Sequence, residues 1–128
     1  MVKSNEEGIL SFQMLLKEKT YTTKNIFRAL DCENNKNITD TGQYHATVIV
    51  MRNCKNVKSI FNQVLTCIDD DKFLLTDKYN TQQEKYFIDN RHDQSILSVV
   101  RKKHKTIILN DRSYMKKNCP IEHTRIRN

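Results

Sequence analysis

The sequence predicts an α/β fold with a few strands and three or more helices, part of a larger layered domain. Three observations predict it. Val48, Ile49 and Val50 form a continuous β-branched run, the pattern of a strand covered on both faces. Val57, Ile60, Phe61, Val64, Leu65 and Ile68 recur at the 3-and-4 spacing of one buried helix stripe. Strand-like and helix-like stretches alternate along the chain, with too few strands for a full sheet.

In chain order, ILSFQMLL at 9–16 is apolar with two polar breaks. Periodicity alone does not separate a buried strand from a helix segment here, and Gly8 just before it favours the strand. YTTKNIFRALD predicts a helix ending by Asp31, with Thr22 or Thr23 as cap and Ile26, Phe27 and Leu30 on one face. The turn-rich CENNKNITDTG reads as a loop, and YHATVIVM as the strand already named. The helix over 55–69 takes Asn53 or Asn56 as its cap. Asp69-Asp70-Asp71 falls at the unfavourable end of its dipole, so these aspartates are expected to leave it as a solvated turn. A loop over 76–88 leads to a helix from Asp89 or Asn90 to Lys103. Ile96, Leu97 and Val100 form its buried face, and Arg101-Lys102-Lys103 close it with cations. TIILND is a short strand. These elements make one unit over 1–114; the basic tail 115–128 carries Pro120 and many charges, a composition that predicts poor order.

At 128 residues the chain holds one domain or part of one, and its apolar share of 38% allows a modest core. With two Gly and one Pro, sharp turns fall largely to Asn and Asp. No run of about 18 apolar residues occurs, so no transmembrane segment is expected. MVKSNEEGIL has acidic residues where a signal peptide has basic ones, so the expected location is the cytoplasm. The net charge of +7 admits an anionic partner. The cations are scattered, however, with short clusters only at Arg101–Lys103 and Lys116-Lys117, which argues against nucleic acid. The joint excess of Lys and Asn also reads as bare composition. Cys32, Cys54, Cys67 and Cys119 lack C-x-x-C spacing, so neither structural zinc nor a disulfide framework is expected, and Cys67 reads as a small buried hydrophobe. Cys119 and His123 are two ligands, short of a metal site. The sequon Asn37-Ile38-Thr39 has meaning only on a secretory route.

The densest polar stretch is Asp89-Asn90-Arg91-His92-Asp93-Gln94-Ser95, running straight into a helical pattern. Capping explains part of it. With Asn90 as cap, Asp93 sits at the third helical position, where a carboxylate favours the free N–H groups. A site explains the remainder: His92, Asp93 and Gln94 at a helix start offer groups that bond sugar hydroxyls, and a carboxylate there can orient or deprotonate an attacking hydroxyl. Gln43, before the strand, is a second candidate for the same cleft, against the plainer reading of a loop amide. Tyr44 and His45 read as strand-start packing. His104 and His123 are the remaining imidazoles weighed as late metal ligands, and Asp69–Asp71 as acidic ones; solvation is the plainer reading of both sets.

EKTYTTKNIF, DTGQYHATVIVMRNCKNVKSIFNQVL and FIDNRHDQSILSVVRKKH together resemble the C-terminal half of a family of GT-A-like glycosyltransferases of the polysaccharide-synthesis and large-virus type. The likeness runs from about Gly8 to Tyr114, and RHDQSIxS is its most specific part. It implies a partial GT-A-like domain, the acceptor-side half of an enzyme moving a sugar from a nucleotide sugar to a hydroxyl. Asp93, His92 and Gln94 would be catalytic, and Gln43 and Arg91 would bind substrate. The family's metal-binding D-x-D has no counterpart at a strand end here, and Asn90 stands where members carry an acidic residue or His. The resemblance therefore implies a truncated or split half, inactive alone. Manganese or magnesium would bind only once a separate N-terminal nucleotide-sugar-binding half completes it. The other reading open to the sequence is a small basic non-enzymatic protein that binds nucleic acid or a protein partner.

Overall fold

The computed structural model describes residues 7–77 and 82–110. The apolar stretch after Gly8 is a strand, β1 (Ile9–Lys17), and it is central. It pairs antiparallel with β2 (Gly42–Met51) and parallel with β3 (Ile107–Asn110), giving the order β2-β1-β3. Gly8 has φ +66°, and a Cβ there would lie 2.3 Å from the Cys54 sulfur, so only glycine fits this approach.

Alternation along β1 separates two faces. Ile9 joins the main core, and Ser11 is bonded to Arg101, so both point to the helices. Leu10 and Phe12 point the other way, where their register neighbours are Val50, Ile107 and Leu109. The helices are α1 (Lys24–Ala29), α2 (Lys36–Thr39), α3 (Lys55–Asp70) and α4 (Asp93–Lys103). All four feed the cluster around Ile9, through Ile26 and Phe27, Ile38, Ile60 and Val64, and Ile96 and Val99. The fold is thus α/β, a three-stranded sheet with four helices sharing the core of one face.

One cap alternative is resolved and several local expectations are corrected. Thr23 caps α1, its side chain accepting from Ile26 N at 3.2 Å, while Thr22 turns inward. The stretch read as a loop after Asp31 contains α2, because Asn35 caps a turn that buries Ile38. The α3 cap position is Cys54, without a side-chain bond, and not Asn53 or Asn56; Asn56 instead ties Glu7 O and Lys105 O together. Leu65 falls off the buried stripe and is 59% exposed, whereas Cys67 is buried on it. Asp69 and Asp70 stay in the last turn of α3, and Asp71 caps a following 3-10 turn, Lys72–Leu75, by accepting from Phe73 N. Val48, Ile49 and Val50 are half-buried, not covered on both faces, because β2 is an edge strand. The tail 115–128, with Lys116, Lys117, Cys119 and His123, lies outside the described residues.

Candidate functional site

The polar stretch does not start its helix where capping chemistry alone would put the start. Asp89 and Asn90 precede α4 instead of capping it; the cap position is His92, in a left-handed conformation with φ 53° and no side-chain cap bond. Such a φ in a non-glycine residue persists only where the surroundings impose it. Here they do. Ile88 N donates to Thr20 O at 2.8 Å, and Arg91 N donates to Tyr21 O at 3.1 Å and to Ser95 Oγ at 3.0 Å. Asn90 is buried and donates from Nδ2 to Leu74 O at 2.9 Å. Its Oδ1 is a buried acceptor without a protein partner. The chain is pinned on both sides just before the helix, and His92 takes up the turn.

Below that turn lies a buried polar network. Glu18, in the 3-10 turn Glu18–Thr20, is fully buried. Its carboxylate accepts from Thr22 Oγ1 at 2.9 Å, from Gln43 Nε2 at 2.7 Å and from the Ser98 hydroxyl, and it pairs with Lys102 Nζ at 3.1 Å. Gln43 Oε1 accepts from Gln94 Nε2 at 2.8 Å, and Gln94 Oε1 accepts from Ala46 N at 3.2 Å. Arg101, also fully buried, donates to Ser11 Oγ at 3.0 Å and to His45 O at 2.8 Å, with its guanidinium 5.3 Å from the Tyr44 ring centre. Burial pushes Arg101 down to about 10, against the opposing pull of Glu18. It lowers Lys102 as well, again opposed by Glu18. The same burial raises the Tyr44 phenol to about 12.

The candidate residues therefore divide. Gln43 and Gln94 meet, but inside the network, and Gln43 belongs to β2 and is fully buried rather than a loop amide. Arg91, His92 and Asp93 stay outside it. Arg91 stacks over Tyr21 at 4.4 Å, His92 Nε2 lies 2.8 Å from Asp77 Oδ1, and Asp93 is exposed in the first turn of α4. His104 bonds to Gln63 Oε1 at 2.7 Å, far along the chain from this turn. Among the described residues, no three His, Cys, Asp or Glu side chains are grouped to hold a metal ion. No described helix is long and apolar enough to cross a membrane.

Arg101, Lys102 and Lys103 do close the last turn of α4 as expected, and they also do more: Arg101 and Lys102 serve the interior and Lys103 Nζ reaches Leu30 O. The sequence did carry a signal: Ser95, Ser98 and Arg101 recur every three residues, a polar stripe at helical spacing. Glu18 carried none, since one acidic residue after a strand has no pattern to mark it as buried. Comparison with protein-family models, with curated proteins and with solved structures gives no match.

Proposed function

We propose that the chain is the acceptor-side part of a glycosyltransferase-like domain. Joined to a nucleotide-sugar-binding part, it would transfer a sugar to a hydroxyl; alone it is inactive. One observation carries this reading. The three stretches that bear the resemblance meet in a single network, through Glu18 and Thr22, Gln43 and Tyr44, and Gln94, Ser95 and Ser98. That network fixes the start of α4 and leaves Arg91, His92 and Asp93 facing outward. Asp93 orients the acceptor hydroxyl or takes its proton, Arg91 and His92 position the acceptor, and Gln43 and Gln94 hold the strand and helix that present them. A divalent metal, manganese or magnesium, belongs to the nucleotide-sugar-binding part.

The strands leave apolar surface open to a further part: Leu15, Met51 and Ile108 are exposed, although Leu10 and Phe12 on the face away from the helices are already buried. A cytoplasmic setting fits the free thiols of Cys32, Cys54 and Cys67. The inward use of Arg101 and Lys102 weighs against the rival reading as a nucleic-acid binder. The test is a binding comparison by calorimetry. The chain should bind saccharides weakly and should neither bind nor hydrolyse nucleotide sugars in the presence of manganese. Nucleotide release above background, or nucleic-acid binding without saccharide binding, would sink the proposal.

A further inference from the structure

Between α1, α2 and the segment 83–87 lies a groove of ≈ 540 Å³, inside the ~300–1,000 Å³ range of small-ligand sites. Its outer wall is held by side-chain bonds. Gln83 Oε1 accepts from Lys24 N at 2.8 Å, and Gln83 Nε2 donates to Asn25 Oδ1 at 3.0 Å, so the segment caps the start of α1. Across the groove, Lys19 pairs with Asp40 at 2.9 Å, Lys24 with Glu84 at 2.6 Å, and Arg28 with Glu33. The walls therefore offer fixed donors beside fixed acceptors: Lys19, Lys24 and Arg28 are each matched by a carboxylate, and Lys36 is the one lining cation outside these pairs. An anion site would show a cluster of unmatched cations. A lining in which most charges are matched suits a ligand that donates and accepts at once and carries no charge. Tyr86, half exposed at 50%, adds an aromatic surface whose ring has Lys19 Nζ 4.7 Å from its centre, and Phe87 lies beside it. Polar rims with an aromatic platform match the hydroxyls and the C–H faces of a sugar ring.

The groove's position adds to this. Its walls include Lys19, Thr22, Tyr86 and Phe87. The short ladder from Thr20 and Tyr21 to Ile88 and Arg91 leads from these residues to the α4 start. We propose that the groove binds the neutral saccharide chain that leads to the acceptor hydroxyl; this assignment rests on the acceptor reading above. The experiment is a titration of the isotope-labelled full chain with neutral oligosaccharides, read at backbone amides, with uridine diphosphate as a charged control. Shifts are expected at Asn34, Glu84, Tyr86 and Phe87. Tyr86→Ala should weaken binding about tenfold, the scale of losing one aromatic contact, with the rest of the spectrum unchanged; Tyr86→Phe should retain it. Groove shifts without shifts at Arg91–Gln94 would keep the groove and remove the acceptor role of Asp93. Shifts at Arg91–Gln94 alone would overturn the groove and keep that role. Silence at both, or a groove that answers only to the charged control, overturns the groove assignment.

Discussion

The inner and outer sides of the α4 start are equally polar in sequence and opposite in behaviour. Ser95, Ser98 and Arg101 are fully buried, and their partners come from β1, β2 and the segment Glu18–Thr22. Arg91 and Asp93, a few positions earlier, are exposed. His92 has an exposed carboxylate for its partner. Residue chemistry does not separate the two sides; helical angle does, together with whether a distant strand brings a partner. A buried polar group without a partner is costly, so each inner group depends on the others. The outer groups face water even where they have a partner, Tyr21 for Arg91 and Asp77 for His92.

Glu18→Leu should break the inner side most. It removes the carboxylate that Lys102, Gln43, Thr22 and Ser98 share and leaves a buried ammonium without its countercharge. Loss of one partner of such a pair costs ~3–5 kcal/mol, a large part of any small domain's stability. Urea unfolding measures it, and a loss under about 1 kcal/mol would mean that water already reaches the network. Gln43→Leu should come next. It strands the Gln94 amide N–H and takes one donor from Glu18, for a loss of ~1–3 kcal/mol. A neutral result there would show that Gln94 turns to solvent instead.

Much of this frame was legible in the sequence, and the misses share a cause. The strands β2 and β3, the helix over 55–69 and the helix ending at Lys103 follow from local apolar patterns, and β1 from its apolar run with Gly8 before it. Patterns of that kind see only near neighbours. Glu18 is buried because Ser98, 80 residues later, supplies a donor. Arg101 looked like a dipole-neutralising cation because its acceptors, Ser11 Oγ and His45 O, lie on two strands far away in sequence. The start of α4 moved from Asp89 or Asn90 to Asp93 for the same reason: Asn90 is occupied by Leu74 O. Of the site, the pairing of Gln43 with Gln94 was foreseen as a shared location, but its burial was not.

On the outer side, Asp93→Asn should cost at most ~1 kcal/mol, the scale of a carboxylate at a helix N-terminus. The measurement is the same urea titration, run beside Gln43→Leu. If Asp93→Asn proved the more damaging of the two, the division into a structural inside and an available outside would fail.

The smallest effect is also the sharpest separation, because it concerns which force sets a titration. Inside, burial is the largest cause: Arg101 is pushed down to about 10 despite Glu18 nearby. The unfolded chain then holds the proton more tightly, so stability from this group increases as pH rises above about 10. Outside, the partner is the largest cause: the hydrogen bond from Lys24 holds the Glu84 carboxyl below its usual 4.5. For that acid the slope has the same sign, but a favourable pair is lost on acidification where Arg101 has a burial penalty relieved at high pH. The Glu84 contribution is present above 4.5 and disappears as pH falls through the lowered folded value. Lys24→Met should return Glu84 to the usual carboxylate range, and molar salt should do much of the same to the parent chain, because an exposed pair is screened. Carboxyl resonances followed through an acid titration read both. A Glu84 titration that ignores salt and survives Lys24→Met would place that pair with the inner network, in spite of the 49% exposure of the Glu84 side chain.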